Sequence, residues 1–172
     1  MENMQQLLVL TDDQGNPINT ATRDVCHRGK GLRHWGFILL VKNSEGKYII
    51  CKRADTKSCG AGLWDASVVS HVLPGETPLS GAMRRSKEEL GISVSNIEDI
   101  GGFTYEASYG EYCENEYCTV LIGFSDKLSN PNPEEISEIR LLTLEQLRND
   151  IKRDKSNYAP WLSIPLKKLL IK

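Results

Sequence analysis

Arg84, Arg85, Glu88 and Glu89 stand in one run, Arg84-Arg85-Ser86-Lys87-Glu88-Glu89, shortly after a Gly75-Glu76 pair. On a helix, Arg84 and Glu88 are four apart, as are Arg85 and Glu89, so each pair shares a face. Taken alone, the run reads as readily as a solvated, salt-bridged surface helix as it does as a working site. A second acidic pair, Glu114 and Glu116, has one residue between its members. If that segment is extended, both carboxylates point to the same side and can reach one ion. Without further ligands the same pair is a charged edge strand. The chain holds only three histidines, His27, His34 and His71. A lone histidine is more often structural than a ligand.

The elements that must carry these groups are legible in part. Leu7 to Leu10 followed by Asp13-Gln14-Gly15 looks like a strand entering a tight turn. Gly36 to Val41 and Lys47 to Cys51 flank Asn43-Ser44-Glu45-Gly46, which predicts a hairpin between buried strands. Trp64 to Val72 is a β-rich run, and Gly102 to Ala107, Tyr117 to Phe124 and Ile139 to Leu142 look like further strands. The clearest helix starts after Thr77, a good N-cap. Pro78 suits the first helical position, and Gly91 closes the run. Thr143-Leu144-Glu145-Gln146 has a capping-box pattern and opens a second helix; Ile164 to Ile171 is a third. Strands first, with helices interspersed and no regular βαβ alternation, predict an α/β or α+β sandwich with a mixed sheet between helices.

With 172 residues, 40% hydrophobic and 26% charged, the chain fits one ordinary globular domain spanning 1–172. A net charge of -2 argues against a non-specific nucleic-acid or membrane-surface binder. No apolar run approaches the roughly 18 residues that span a bilayer, and MENMQQLLVL lacks the basic segment of a signal peptide. A cytoplasmic location is expected. Cys26, Cys51, Cys59, Cys113 and Cys118 form no C-x-x-C pair and are odd in number, so packed thiols are expected.

The run from Ser70 to Ile92 resembles the Nudix box, G-x5-E-x7-R-E-U-x-E-E-x-G-U with U apolar. Glu76, Arg84, Glu88, Glu89, Gly91 and Ile92 fit it. Ser70 replaces the first Gly, Arg85 the first Glu of R-E, and Ser86 the apolar residue. The resemblance implies the Nudix fold and clustered carboxylates that hold Mg²⁺ against a diphosphate, chemistry that suits hard oxygen ligands. A cation at position 85 repels a metal but can grip a phosphate.

From about Leu7 to Trp161 the chain is similar to type I isopentenyl-diphosphate isomerases, whose box carries Arg-Arg at this point. That similarity implies Arg85, Arg53, Lys57 and Arg23 as diphosphate ligands and Glu89 as the Mg²⁺ ligand. It implies His27, His34, His71, Glu114 and Glu116 as ligands of a second divalent ion. Their mixed nitrogen and oxygen set suits Zn²⁺ or Mn²⁺. Glu116 and Tyr105 match the family's proton-transfer pair on one face of the alkene. Trp161 matches the aromatic residue whose π face sits beside the carbocation. The implied activity is conversion of isopentenyl diphosphate to dimethylallyl diphosphate, a step of isoprenoid biosynthesis.

One family position differs. The second proton carrier, a cysteine two places before the third histidine, is here Val69. Valine neither donates nor accepts a proton, and Cys26 beside His27 is the thiol that could approach the site in space. Three readings therefore stand side by side. One is an isomerase-type enzyme, and another is a Nudix hydrolase of an organic or nucleoside diphosphate, with Glu88 and Glu89 at its metal cluster. The third is a non-catalytic prenyl-diphosphate-binding module. In each the partner is a small-molecule diphosphate.

Overall fold

The computed structural model describes residues 3–127 and 129–168. Its strands are β1 (Leu7–Thr11), β2 (Pro17–Thr22), β3 (His34–Lys42), β4 (Tyr48–Arg53), β5 (Trp64–Asp65), β6 (Val68–His71), β7 (Ser95–Tyr109), β8 (Tyr112–Phe124) and β9 (Ile136–Leu142). The helices are α1 (Arg23–His27), α2 (Pro78–Leu90), α3 (Leu144–Arg153) and α4 (Ser163–Lys168). The expected third helix, Ile164 to Ile171, is present as far as Lys168; its remainder lies outside the described residues.

β3 organises the sheet. It runs antiparallel to β6 over Gly36–Leu39 and parallel to β8 over His34–Lys42. β7 pairs with β8, and β9 and β5 pair with β4. The sheet is therefore mixed, and with its interspersed helices the fold is of the α+β class, as expected. The expected hairpin across Asn43–Gly46 is formed, but β3 and β4 share one register pair, Lys42 with Tyr48. The strands diverge because each has another partner along most of its length, and the sheet curls as a result. The single run expected over Trp64–Val72 is two strands, because β5 pairs with β4 and β6 with β3.

Alternation along β3 sorts the core into two layers. Phe37, Leu39 and Val41 pack with Ala82 and Leu90 of α2. Ile38 and Leu40 face the other layer, with Phe103, Tyr105, Leu147 and Trp161. His34 and Gly36 continue the second parity, and Glu114 and Glu116 continue that of Cys118 and Val120 on β8. Strand period thus delivers His34, Glu114 and Glu116 to the face that holds Tyr105 and Trp161.

α2 begins and ends where its caps require. The Thr77 side chain accepts from the Ser80 N–H, and the Ser80 hydroxyl accepts from the Thr77 N–H. Gly91 takes φ +69, the left-handed C-terminal stop. β2 and α1 carry no strong sequence signal: β2 is a polar, largely exposed strand, and α1 is a five-residue turn with no apolar period.

Candidate active site

The three histidines arrive from three elements, α1, the start of β3 and the end of β6. Their ring centroids lie 4.7, 5.1 and 4.9 Å apart. His27, His34, His71 and Glu114 each offer a ligand atom within 4.8 Å of the others, and all four are buried. The Nδ1 atoms of His27 and His34 each lie 2.8 Å from a backbone carbonyl, of Arg23 and Leu32. Only a protonated Nδ1 can donate to a carbonyl, so both rings present Nε2 to the centre, as metal-binding imidazoles do.

At that centre, His27 Nε2 is 3.2 Å and His34 Nε2 3.7 Å from Glu114 Oε2. Lone pairs facing one another at such distances require a proton or a cation between them. His34 Nε2 and Glu114 Oε2 are buried without a hydrogen-bond partner among the described residues. Leaving such atoms unsatisfied costs about 1–3 kcal/mol each. A divalent ion would satisfy both, so the donor set fits a metal.

Burial pushes the His34 imidazole down to about 4, and burial pushes His71 well below its usual value. Both are therefore neutral and able to ligate at pH 7. Burial would lower His27 too, but the close contact with Glu114, the charge of that carboxylate and the Arg23 carbonyl together outweigh this and raise it. Burial works to raise Glu114, yet the close approach and charge of His27 hold it below the ordinary carboxylate range.

Glu116 lies beneath this cluster. Its Oε1 is 3.2 Å from His71 Nε2 and 3.6 Å from His34 Nε2. Its Oε2 accepts from the Tyr105 hydroxyl at 2.5 Å, across the β7–β8 register pair that joins the two residues. Burial first, and then the charge of Glu114, drives Glu116 well above the usual carboxylate range. A carboxyl group in that state can carry a proton at neutral pH.

Beside the histidines opens a cavity of about 250 Å³. Arg23, Arg53, Lys57, Arg84 and Arg85 line it, together with His27, His71 and Glu114. Consecutive β6 residues, Val69 and Ser70, both reach it, which places it along the β6 edge where the two sheet faces meet. Arg53, Lys57, Arg84 and Arg85 also have carboxylate partners. Arg53 donates to Asp65 at 3.0 Å, Lys57 to Glu135 at 2.9 Å, and Arg85 to Glu88, Glu89 and Glu135 at 2.7–3.1 Å. Glu89 is buried against Arg85, and its burial pushes its carboxyl up to about 7.

Some expected residues stand apart from the cavity. Glu88 is exposed and bonded to Arg84 and Arg85. Glu76 clamps Arg84 with both carboxylate oxygens and caps the Leu73 N–H, a structural use of the box. Trp161 is 2% exposed and lies behind Tyr105, with ring centroids 5.8 Å apart. Cys26 is fully buried, its thiol pushed up to about 11 by burial, and it does not line the cavity. The thiol on the cavity wall is Cys59, which hydrogen-bonds Glu114.

Asp65, Glu135 and Gly36 escaped the sequence reading, because each acts through a partner distant in the chain and none belongs to a spaced motif.

The NUDIX domain model matches residues 32–162. An isopentenyl-diphosphate Delta-isomerase of Serratia proteamaculans is 30% identical, over 96% of this chain and 92% of its own length. Isopentenyl-diphosphate Delta-isomerase 2 of Photorhabdus laumondii is 35% identical, over 92% of this chain and 89% of its own. Among solved structures, DR0079 from Deinococcus radiodurans superposes with a TM-score of 0.76 at 21% identity, over 96% of this chain and all of that one. MutT protein from Methanosarcina mazei Go1 gives 0.56 at 22% identity, over 73% and 95%. These two likenesses describe the fold. A box on α2, the mixed curled sheet and the matched length agree: the chain belongs to the NUDIX domain family, among homologues of isopentenyl-diphosphate isomerases.

Proposed function

We propose that this protein binds isopentenyl diphosphate, or a close small organic diphosphate, and moves a proton on its alkene with the help of divalent metal ions. The observation that carries this reading is the Glu116–Tyr105 pair, joined at 2.5 Å directly beneath the histidine cluster that borders a cationic cavity. A cavity of about 250 Å³ lies below the usual ~300–1,000 Å³ of drug-sized ligand sites and suits a short substrate.

Arg23, Arg53, Lys57 and Arg85 would grip the diphosphate. Glu89 would hold Mg²⁺ against it, with His27, His34, His71, Glu114 and Glu116 holding a second ion, Zn²⁺ or Mn²⁺. The ions would neutralise phosphate charge and fix the carboxylates. Glu116 and Tyr105 lie beneath the cavity wall rather than on it; with the substrate's alkene drawn against them, they would deliver their shared proton to its terminal carbon, leaving a tertiary carbocation. Trp161, packed against Tyr105 with the rings tilted by 41°, places an electron-rich ring in the same layer. Loss of a proton from the neighbouring carbon, to solvent water in the cavity, completes the double-bond shift. Val69 lines the cavity wall and cannot take that proton, so turnover is expected to be slow.

Val69 also favours a second reading, a diphosphate hydrolase. Against it, Arg85 stands where the hydrolase box has its first glutamate, and it engages Glu88, the second carboxylate such a site would use for metal. Incubation with isopentenyl diphosphate and Mg²⁺, followed by NMR of alkene and phosphate signals, separates the readings. Double-bond migration with intact diphosphate supports the isomerase, and phosphate release supports the hydrolase.

A further inference from the structure

Asp65 is 2% exposed in the two-residue strand β5, yet its carboxylate serves both the cavity and the core. It accepts from Arg53 Nη1 at 3.0 Å. Its two oxygens share the Trp161 indole N–H at 2.9 and 3.1 Å, and one takes the Ala66 N–H at 2.8 Å. Arg53 in turn donates from Nε to the Cys59 carbonyl at 3.1 Å, and its guanidinium carbon lies 5.4 Å from the Trp161 ring centroid. Held on these sides, Arg53 also lines the cavity.

We propose that Asp65 is a positioning residue that ties the diphosphate grip to the aromatic wall, so that diphosphate in the cavity is felt at Trp161. The inference rests on reading Arg53 as a diphosphate ligand. A guanidinium divided between two anions gives each less than it would give one alone. When diphosphate engages Arg53, the Asp65 carboxylate leans more on its other charge-assisted donor, the Trp161 indole N–H. Because Trp161 packs on Tyr105, that change is made in the layer where the proton moves. A substrate lacking the diphosphate would leave the ring as it is.

Indole N–H resonances of ¹⁵N-labelled protein, titrated with Mg²⁺ and inorganic diphosphate, test this. The Trp161 peak is assigned by its loss in Trp161→Phe. In the parent protein that peak should move as diphosphate saturates. In Asp65→Asn the movement should vanish, because the carboxylate charge shared by Arg53 and the indole N–H is gone. Mn²⁺ binding at the histidines should be unchanged. A parent Trp161 peak that stays in place at saturating diphosphate overturns the proposal, even if Asp65→Asn fails to fold. So does a folded Asp65→Asn variant whose Trp161 peak moves as far as the parent's. Absence of diphosphate binding to the parent overturns the diphosphate reading and this inference together. A moving peak with no change in isopentenyl diphosphate leaves the inference standing and removes only the isomerase reading.

Discussion

A Cβ placed on Gly36 would lie 2.5 Å from Oε1 of Glu116. The Glu116 carboxylate therefore lies over the bare backbone of β3, and this contact lets it reach both His34 and His71. Gly36→Ala should push Glu116 off the Tyr105 hydroxyl and out of the cluster. Displacing a group that orients metal ligands typically costs about 10–100-fold in metal affinity. Calorimetric titration with Mn²⁺ measures the loss, with circular dichroism confirming the sheet. Unaltered affinity in a folded variant would mean that Glu116 is not a ligand.

The histidine cluster should couple metal to stability. A metal bound only by the native state, at 100 times its Kd, adds about 2.7 kcal/mol. Mn²⁺ or Zn²⁺ should raise the Tm of the parent, and His34→Ala should abolish most of that rise. Equal rises in parent and variant would place the ion elsewhere.

Arg85→Glu should weaken diphosphate binding by more than about tenfold, since it replaces a charged donor by a like charge in a cavity lined with cations. The same change restores a hydrolase-like box. Equilibrium binding of inorganic diphosphate reads the first effect. Parent-like binding would reduce Arg85 to a salt-bridge partner on α2.

Much of the fold was legible because β3, β8 and α2 carry strong local signals: unbroken apolar runs, a Thr-Pro start and a Gly stop. β2 was not, since an exposed polar edge strand buries nothing that leaves a period. The site was legible only through spaced residues. His27, His34 and His71 stand out by rarity and by likeness to a family pattern, whereas Glu135 sits in an ordinary polar loop and meets Lys57 and Arg85 only after folding. Trp161 shows another limit: likeness to the family marks it as a substrate contact, whereas its bond to Asp65 and its packing on Tyr105 join residues distant in the chain.

Glu89 should leave a pH signature in the metal-free protein. Its folded carboxyl titrates near 7 against an ordinary 4.5, so between those values the native state binds the extra proton. Stability from this group is then lost as pH rises from about 4.5 to about 7, by roughly 3 kcal/mol at most. Glu89→Gln should flatten that part of the profile. Denaturant titrations of both proteins across this window give the difference, and parallel curves would refute the raised value.

The most direct measurement is deuterium uptake from D₂O into isopentenyl diphosphate by the metal-loaded parent and by Val69→Cys. Cysteine and valine have similar volumes, so the wall of the cavity should accept the change. A positioned acid or base contributes about 10²–10⁴-fold, so exchange should be slow in the parent and faster by that order in the variant, with the diphosphate intact. A folded, metal-loaded Val69→Cys protein that exchanges no more deuterium than the parent, or that releases phosphate instead, would contradict the isomerase reading.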